Sequence, residues 1–342
     1  MTSALDLDEG ALAQRLTSLG EPAYRARQIR THLLRRGVLD YGEMTDLPAA
    51  LRDRLGDELP ATPLTLREQR PTPDGQTAKL LLRALDEELI EAVSIRDADR
   101  HTVCVSSQVG CGMACAFCAS GLDGVARNLS AGEMVAQVLY AAAHGPVTNV
   151  VFMGMGEPLA NLPRLLKAIG TLTDPDGIAL GARRLTVSTV GLVPRIRDLA
   201  ATGLPVGLAI SLHASDDATR RTLVPAAERY GIAELLEAAD HYFAATGRRV
   251  TYEYTLIAGQ NAEPHHAEAL GRLLAGSGSQ VNLIPYNPVP GLPFAEPEGG
   301  AVRRFAAIVA GHGVTVTTRK EMGRRVDAAC GQLRRTVREP AS

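Results

Sequence analysis

Three cysteines crowd into eight residues, Cys111-Gly112-Met113-Ala114-Cys115-Ala116-Phe117-Cys118. A C-x3-C-x2-C spacing puts three thiols on one compact loop facing one centre, and any fold of this chain must present that loop. Thiolates are the ligands that iron–sulfur clusters take, and three of them leave one iron of a [4Fe–4S] cubane open for another molecule. A structural zinc site wants four ligands, commonly two C-x2–4-C pairs, and only three cysteines lie close together here. Buried structural thiols fit poorly with a glycine-rich loop. The chain holds five cysteines, four of them between 104 and 118. That is no disulfide framework; it points to a reducing cytoplasm and a metal or redox site.

The 342 residues allow one large domain with a small one attached. Net charge is −2, so any nucleic-acid contact has to come from local patches. No apolar run approaches about 18 residues, which leaves no expected membrane helix, and the N-terminus has no basic-then-apolar signal pattern. The first 60 or so residues read as helices at Ala11–Leu19, Tyr24–Arg36 and Pro48–Leu59. Arg25, Arg27, Arg30, His32, Arg35 and Arg36 make the second helix basic. A solvated face would look the same as a phosphate-binding one. The segment 70–75, Arg-Pro-Thr-Pro-Asp-Gly, reads as a turn. Strands are expected at Ala78–Leu85, Leu89–Ile95 and Thr102–Ser107.

Beyond residue 96, strands and helices alternate, the pattern of a parallel α/β sheet, here a partial (β/α)6 barrel. Ser130 with Glu133 three residues on predicts a capped helix start. Further strands are expected at Asn149–Met153, Arg184–Ser188, Val206–Leu212, Val250–Ile257, Gln280–Pro285 and Val314–Thr317. Chemistry in such sheets gathers at the C-terminal strand ends. Gly154, Gly156 and Glu157, then Ser188, then Ser211, Leu212 and His213, then Asn287 all fall there. The resulting partition is a helical unit at 1–75, whose basic face is a candidate for RNA binding, a strand linker at 76–96, the barrel at 97–318 and a basic segment at 319–342. That last segment holds Arg319, Lys320, Arg324, Arg325, Arg334, Arg335 and Arg338 against Glu321 and Asp327.

The cysteine spacing, with an aromatic just before the last cysteine, resembles the radical S-adenosylmethionine (SAM) superfamily. The stretches Cys104-Val105-Ser106-Ser107-Gln108-Val109-Gly110-Cys111, Gly154-Met155-Gly156-Glu157-Pro158-Leu159, Pro285-Tyr286-Asn287-Pro288 and Asp327-Ala328-Ala329-Cys330-Gly331-Gln332-Leu333 narrow the resemblance to its RlmN/Cfr family of RNA methyltransferases, over nearly the whole chain. Tyr286 stands where that family often has Trp, and Val190 where Ser is common. The resemblance implies that Cys111, Cys115 and Cys118 hold one [4Fe–4S] cluster, and that Gly156, Glu157, Ser188, Ser211, Leu212, His213 and Asn287 bind SAM. It implies that Cys330 carries the methyl group as S-methylcysteine, that Cys104 resolves the covalent intermediate through a disulfide, and that Glu91 is the proton acceptor. Two SAM molecules serve each turnover, one methylating Cys330 and one yielding a 5′-deoxyadenosyl radical. Carbon 2 of adenine lies between two electron-withdrawing nitrogens and is not nucleophilic, so a radical route suits it. The implied partners are 23S rRNA, tRNA and a flavodoxin or ferredoxin reductant, with the enzyme a cytoplasmic monomer. Methylation at carbon 8 of the same adenine shares these motifs and stays open. So do a radical SAM enzyme acting on a peptide and a metal-stabilised RNA-binding protein without catalysis.

Overall fold

Asp8 begins the first helix by accepting the Ala11 N–H on its Oδ1 at 2.8 Å, and α1 (Glu9–Ser18) follows. Leu12 and Leu16, four residues apart and so on one face, are fully buried. The second expected helix divides: α2 (Arg25–Arg30) passes into a π-helical turn at Thr31–Arg35. Ala26, Ile29, Leu33 and Leu34 still form one buried side. Helix α3 (Ala49–Glu58) adds Leu51 and Leu55 to the same small core. The computed structural model describes residues 2–319, 326 and 329–333. Of the expected basic tail, Lys320, Arg324, Arg325, Arg334, Arg335 and Arg338, with their opposing Glu321 and Asp327, lie outside the described residues.

Strand β1 (Leu64–Pro71), absent from the sequence reading, pairs antiparallel with β2 (Thr77–Ala84). The turn expected over 70–75 is therefore shorter. Gly75 closes it with a bond from its N–H to the Thr72 carbonyl at 2.8 Å and a φ of +68°. Pro71 is tolerated because β1 is an edge strand and needs no donor there. β3 (Leu89–Asp97) and β4 (Arg100–Cys104) complete an antiparallel meander.

From β4 onward the neighbours run parallel. A small hairpin of β5 (Gln108–Gly110) and β6 (Val125–Asn128) stands apart and brackets the cysteine loop. Then come α4 (Ala131–Ala142), β7 (Asn149–Phe152), α5 (Leu162–Thr173), β8 (Leu185–Thr189), α6 (Val193–Ala201) and β9 (Gly207–Ser211). They are followed by α7 (Asp217–Leu223), α8 (Ile232–Thr246), β10 (Val250–Leu256), α9 (Pro264–Leu274), β11 (Gln280–Pro285), α10 (Gly299–Gly311) and β12 (Thr315–Thr318). The sheet order is β1-β2-β3-β4-β7-β8-β9-β10-β11-β12, an open α/β barrel wall extended by the antiparallel strands. Ser130 caps α4 as its spacing indicated, its Oγ accepting the Glu133 N–H at 3.0 Å while Glu133 accepts the Ser130 N–H at 2.7 Å. The N-terminal helices dock at that end: Asp6 accepts the Gly132 N–H at 3.0 Å through its Oδ1 and the Lys167 ammonium at 2.7 Å through its carbonyl. A Cβ at position 132 would press on Asp6, so glycine is what lets the two units close.

Candidate active site

The cysteine loop is held by backbone bonds that do not involve its sulfurs. The Cys111 N–H donates to the Gly124 carbonyl at 2.9 Å, and the Ala116 N–H to the Leu223 carbonyl at 3.0 Å. Gly110 has a φ of +75°, and a Cβ there would collide with the Gly124 carbonyl. The preceding segment is clamped by side chains. Gln137 brackets Ser106, accepting its N–H at 2.8 Å and donating to its carbonyl at 3.0 Å. Asn161 donates to the Ser107 and Leu129 carbonyls. Gln108 accepts the Glu157 N–H at 2.9 Å, joining the cysteine loop to the end of β7.

All three loop cysteines are free thiols. Burial pushes the Cys111 thiol up to about 11 and raises those of Cys115 and Cys118 as well. Thiols so placed become thiolates only against a strong cationic partner, which is what iron provides. Among the described residues, no group of three Cys, His, Asp or Glu side chains is placed to hold one metal ion. A cubane does not ask for that convergence, since each of its irons takes one thiolate. The donor set therefore fits a [4Fe–4S] cluster.

A cavity of about 150 Å³ adjoins the loop, lined by Cys111, Cys115 and Cys118 together with Gly156, Glu157, Ser188, Ser211 and His213. Glu157 is buried, its carboxylate accepting the N–H groups of Leu159 at 3.0 Å and Val190 at 2.8 Å. Burial outweighs those bonds and lifts its carboxyl to about 7. A ligand ammonium would restore the ionised form. His213 accepts the Thr255 N–H on Nδ1 at 3.0 Å, which puts its proton on Nε2. Burial, then the nearby Arg220, holds it neutral down to about 3. Its ring stands edge-on to Phe117, centroids 4.8 Å apart.

Gly154 and Gly156 line this cavity and also serve the loop itself. A Cβ at Gly154 would meet Ser106, and one at Gly156, where φ is +103°, would meet Gln108. They bring the chain close to its own cysteine-bearing segment. Leu212 and Asn287, two more of the expected contacts, do not line this cavity. Leu212 is fully buried, its N–H given to the Glu253 carbonyl and its own carbonyl accepting from Arg220. Asn287 lines a second cavity and donates to the Cys330 carbonyl at 3.2 Å.

Arg220 was missed from sequence. It is fully buried and donates to the carbonyls of Val190 at 2.7 Å, Leu212 at 3.1 Å and Tyr230 at 3.2 Å, tying the ends of β8 and β9 together. Nothing local marks it, because its partners are backbone groups from three segments.

The second cavity, about 600 Å³, is lined by Cys104, Cys330, Glu253, Asn282 and Arg319 among others. Cys330 and Arg319 line both cavities. The Cys330 turn is pinned on the cysteine loop: the Ala119 N–H donates to the Gly331 carbonyl and Ser120 Oγ to the Leu333 carbonyl, each at 2.8 Å. Cys104, at the end of β4, is buried and free, its thiol pushed up to about 12 by burial and then by Cys330, with Arg319 opposing. Arg319, expected in the outer basic tail, instead faces these thiols and the buried Glu253, to which Asn282 donates at 2.8 Å. Glu91 lines neither cavity. It is buried on the face of β3 that carries Val93 and Ile95, both cavity residues, and pairs with Lys79 at 2.8 Å.

On the N-terminal unit the basic side chains separate into two kinds. Arg30 donates to the Leu7 carbonyl at 3.0 Å and pairs with Asp174 at 3.3 Å, a tether to the barrel rather than a free cation. Arg27 is exposed, on a shallow depression it shares with Tyr24, Thr31 and Arg36.

Residues 105–270 match the model of the radical SAM superfamily, and residues 2–59 match the ribosomal RNA large subunit methyltransferase N-terminal domain. A probable dual-specificity RNA methyltransferase RlmN from Rhodopirellula baltica is 47% identical over 94% of this chain and 87% of its own length. One from Salinispora arenicola is 49% identical over 96% and 90%. The crystal structure of a radical SAM methyltransferase from Sphaerobacter thermophilus superposes with a TM-score of 0.94 at 47% identity, covering 97% of this chain and 99% of that one. With both domain models matched in order and near-half identity along almost its entire length, the chain belongs to the RlmN family of radical SAM, dual-specificity RNA methyltransferases.

Proposed function

We propose that this enzyme methylates carbon 2 of an adenine in 23S rRNA and in tRNA by way of S-methylcysteine at Cys330. The observation that carries the reading is the position of Cys330, which lines both the cavity beside the cluster thiols and the cavity that holds Cys104. A thiol there can be loaded from one side and unloaded from the other. Bound at Cys111, Cys115 and Cys118 and in the adjoining cavity, a [4Fe–4S] cluster and two SAM molecules per turnover supply the methyl group and the radical chemistry that activates it, with an electron from a flavodoxin or ferredoxin class of donor. The protein's own residues place and protect. The Glu157 carboxylate receives the SAM ammonium, and Ser188, Ser211 and the Nε2 proton of His213 offer hydrogen bonds within the same cavity.

Once Cys330 is bonded through its methylene carbon to the base, the Glu91 carboxylate takes the carbon-2 proton. Cys104 then attacks the Cys330 sulfur: the Sγ–Sγ bond forms, the sulfur–carbon bond breaks with its electron pair going to the methylene carbon, that carbon takes a proton to become the methyl group, and the methylated base leaves as the one extra electron of the adduct returns to the electron donor. Cys104 must be a thiolate for that attack, and burial opposes it. Arg319, which faces both thiols, lowers the cost.

Replacing the two cysteines separately tests the scheme. Cys330→Ala is expected to give neither methylated protein nor product. Cys104→Ala is expected to methylate Cys330, join it to RNA and stop. A protein–RNA band that survives denaturation and vanishes with ribonuclease reports that outcome, and nucleoside analysis of the digest locates the modified carbon. A Cys104→Ala enzyme that keeps its iron and releases methyladenosine at the normal rate overturns the two-cysteine scheme.

A further inference from the structure

Lys79 and Glu91 form an ion pair at 2.8 Å with side chains only 9% and 10% exposed. Few ammonium groups are buried this deeply, and this one lies on the face that leads to the reacting thiols. The strand register makes the geometry explicit. Lys79 of β2 is opposite Val93 of β3, Val93 is opposite Cys104 of β4, and Cys104 is opposite Val151 of β7. Opposed residues point to the same side of a sheet, so these four form one row across it. Val93, Cys104 and Val151 all line the larger cavity, and beyond Lys79 the row ends at Arg70 of the edge strand β1.

Glu91 is two residues before Val93, on the same face and about 7 Å further toward the barrel mouth. There β4 has already left the sheet, and Ser106 Oγ donates to the Glu91 carbonyl at 2.6 Å, fixing the backbone beneath the carboxylate. Lys79 reaches it diagonally from the next strand, a pairing that long side chains make readily.

We propose that Lys79 is a positioning residue for proton removal: its ammonium holds the Glu91 carboxylate in place on the face of β3 that leads to the larger cavity. The inference rests on the reading of Glu91 as proton acceptor. In the step concerned, the carbon-2–hydrogen bond breaks, its electron pair stays with the ring, and the proton passes to a Glu91 oxygen. Lys79 touches neither the base nor the proton. It acts only through the carboxylate, so its loss should slow this step and leave the earlier loading of Cys330 intact.

The test uses cluster-reconstituted enzyme and RNA whose target adenine carries hydrogen or deuterium at carbon 2. Lys79→Met is expected to keep full iron and methylate Cys330 normally, yet form product at least tenfold more slowly. Deuterium should slow it by a further factor of two or more, and the covalent protein–RNA species should build up with its carbon-2 hydrogen still present. Lys79→Arg is expected to restore most of the rate and to abolish the added isotope effect. A merely structural pair would lower the yield of active protein without producing an isotope effect. Should Lys79→Met not retain its iron, Lys79→Leu, which also lacks a donor for the carboxylate, carries the same measurement. If Lys79→Met or Lys79→Leu turns over at the wild-type rate without an isotope effect while Glu91→Gln does not, the proposal falls and the Glu91 reading stands. If Glu91→Gln itself turns over normally, both fall.

Discussion

The barrel mouth and the N-terminal helical unit both carry polar side chains that the sequence singles out, and they use them in opposite ways. At the mouth the groups are buried and already bonded: Glu157 to two backbone N–H groups, His213 to Thr255, Arg220 to four carbonyls. Their acidities are displaced from ordinary values, Glu157 upward and His213 downward. On the N-terminal unit Arg27 stands in solvent and Arg30 is committed to Asp174. A site that must hold one ligand in one pose profits from fixed dipoles in a low dielectric. A surface that gathers a long polyanion needs only charge, and its effect is screened within about 8 Å at physiological salt.

The sharpest break in that comparison is Cys115→Ala. Its expected effect is total, with iron and sulfide lost and no SAM cleavage under reduction, while the far-ultraviolet dichroism stays native. The fold should survive because the loop is secured through Ala116 and Leu223 rather than through the sulfur. Iron analysis and assay of 5′-deoxyadenosine check both halves. Full iron in Cys115→Ala would remove that cysteine from the ligand set.

What could be read in the sequence was whatever is local. The cysteine triplet, the Ser130–Glu133 cap and the strand ends that carry Ser188, Ser211 and His213 are each specified by a few neighbouring residues, and the structure brings those three side chains into one cavity with the triplet. The rest depends on partners far along the chain. Arg220, Gln137, Asn161 and Asn261 are buried side chains that serve backbone groups of other segments. Nothing in their own neighbourhoods sets them apart from solvated residues. Strand β1 was obscured by Pro71, which usually ends a strand and is allowed here only because β1 lies at the sheet edge. Arg319 reads as one more charge in a basic run, yet the register of β12 against β11 turns it toward Glu253 and the two thiols.

A smaller effect should appear at Glu157 when the enzyme carries no SAM. Its folded-state carboxyl is raised from the ordinary 4.5 to about 7 by burial. Folding therefore favours the protonated form, and stability should be greatest below pH 4.5 for this group and decline as pH rises toward 7. The full difference is roughly 3 kcal/mol. Denaturant titrations of SAM-free enzyme between pH 5 and 7.5 should show the decline, and Glu157→Gln should flatten it. On the proposed pairing of the SAM ammonium with this carboxylate, SAM should also flatten it in the wild type. A pH slope that is the same in wild type and Glu157→Gln would mean that Glu157 does not titrate in this range.

The smallest effects belong to the N-terminal unit, where two neighbouring arginines should part company. Arg27 is exposed and free to meet a phosphate, so Arg27→Gln should weaken RNA binding a few-fold. With one phosphate fewer neutralised, the slope of log K against log salt should become shallower by about 0.7 to 0.9. Arg30 is bonded to Leu7 and Asp174, which join the helical unit to the barrel. Arg30→Gln should cost about 1 kcal/mol of stability or less, as partly screened pairs do, and should leave the salt slope unchanged. Binding isotherms at four or five salt concentrations separate the two. An unchanged slope for Arg27→Gln would return this face to simple solvation. A reduced slope for Arg30→Gln would mean that the tether opens when RNA arrives and releases its cation to the phosphates.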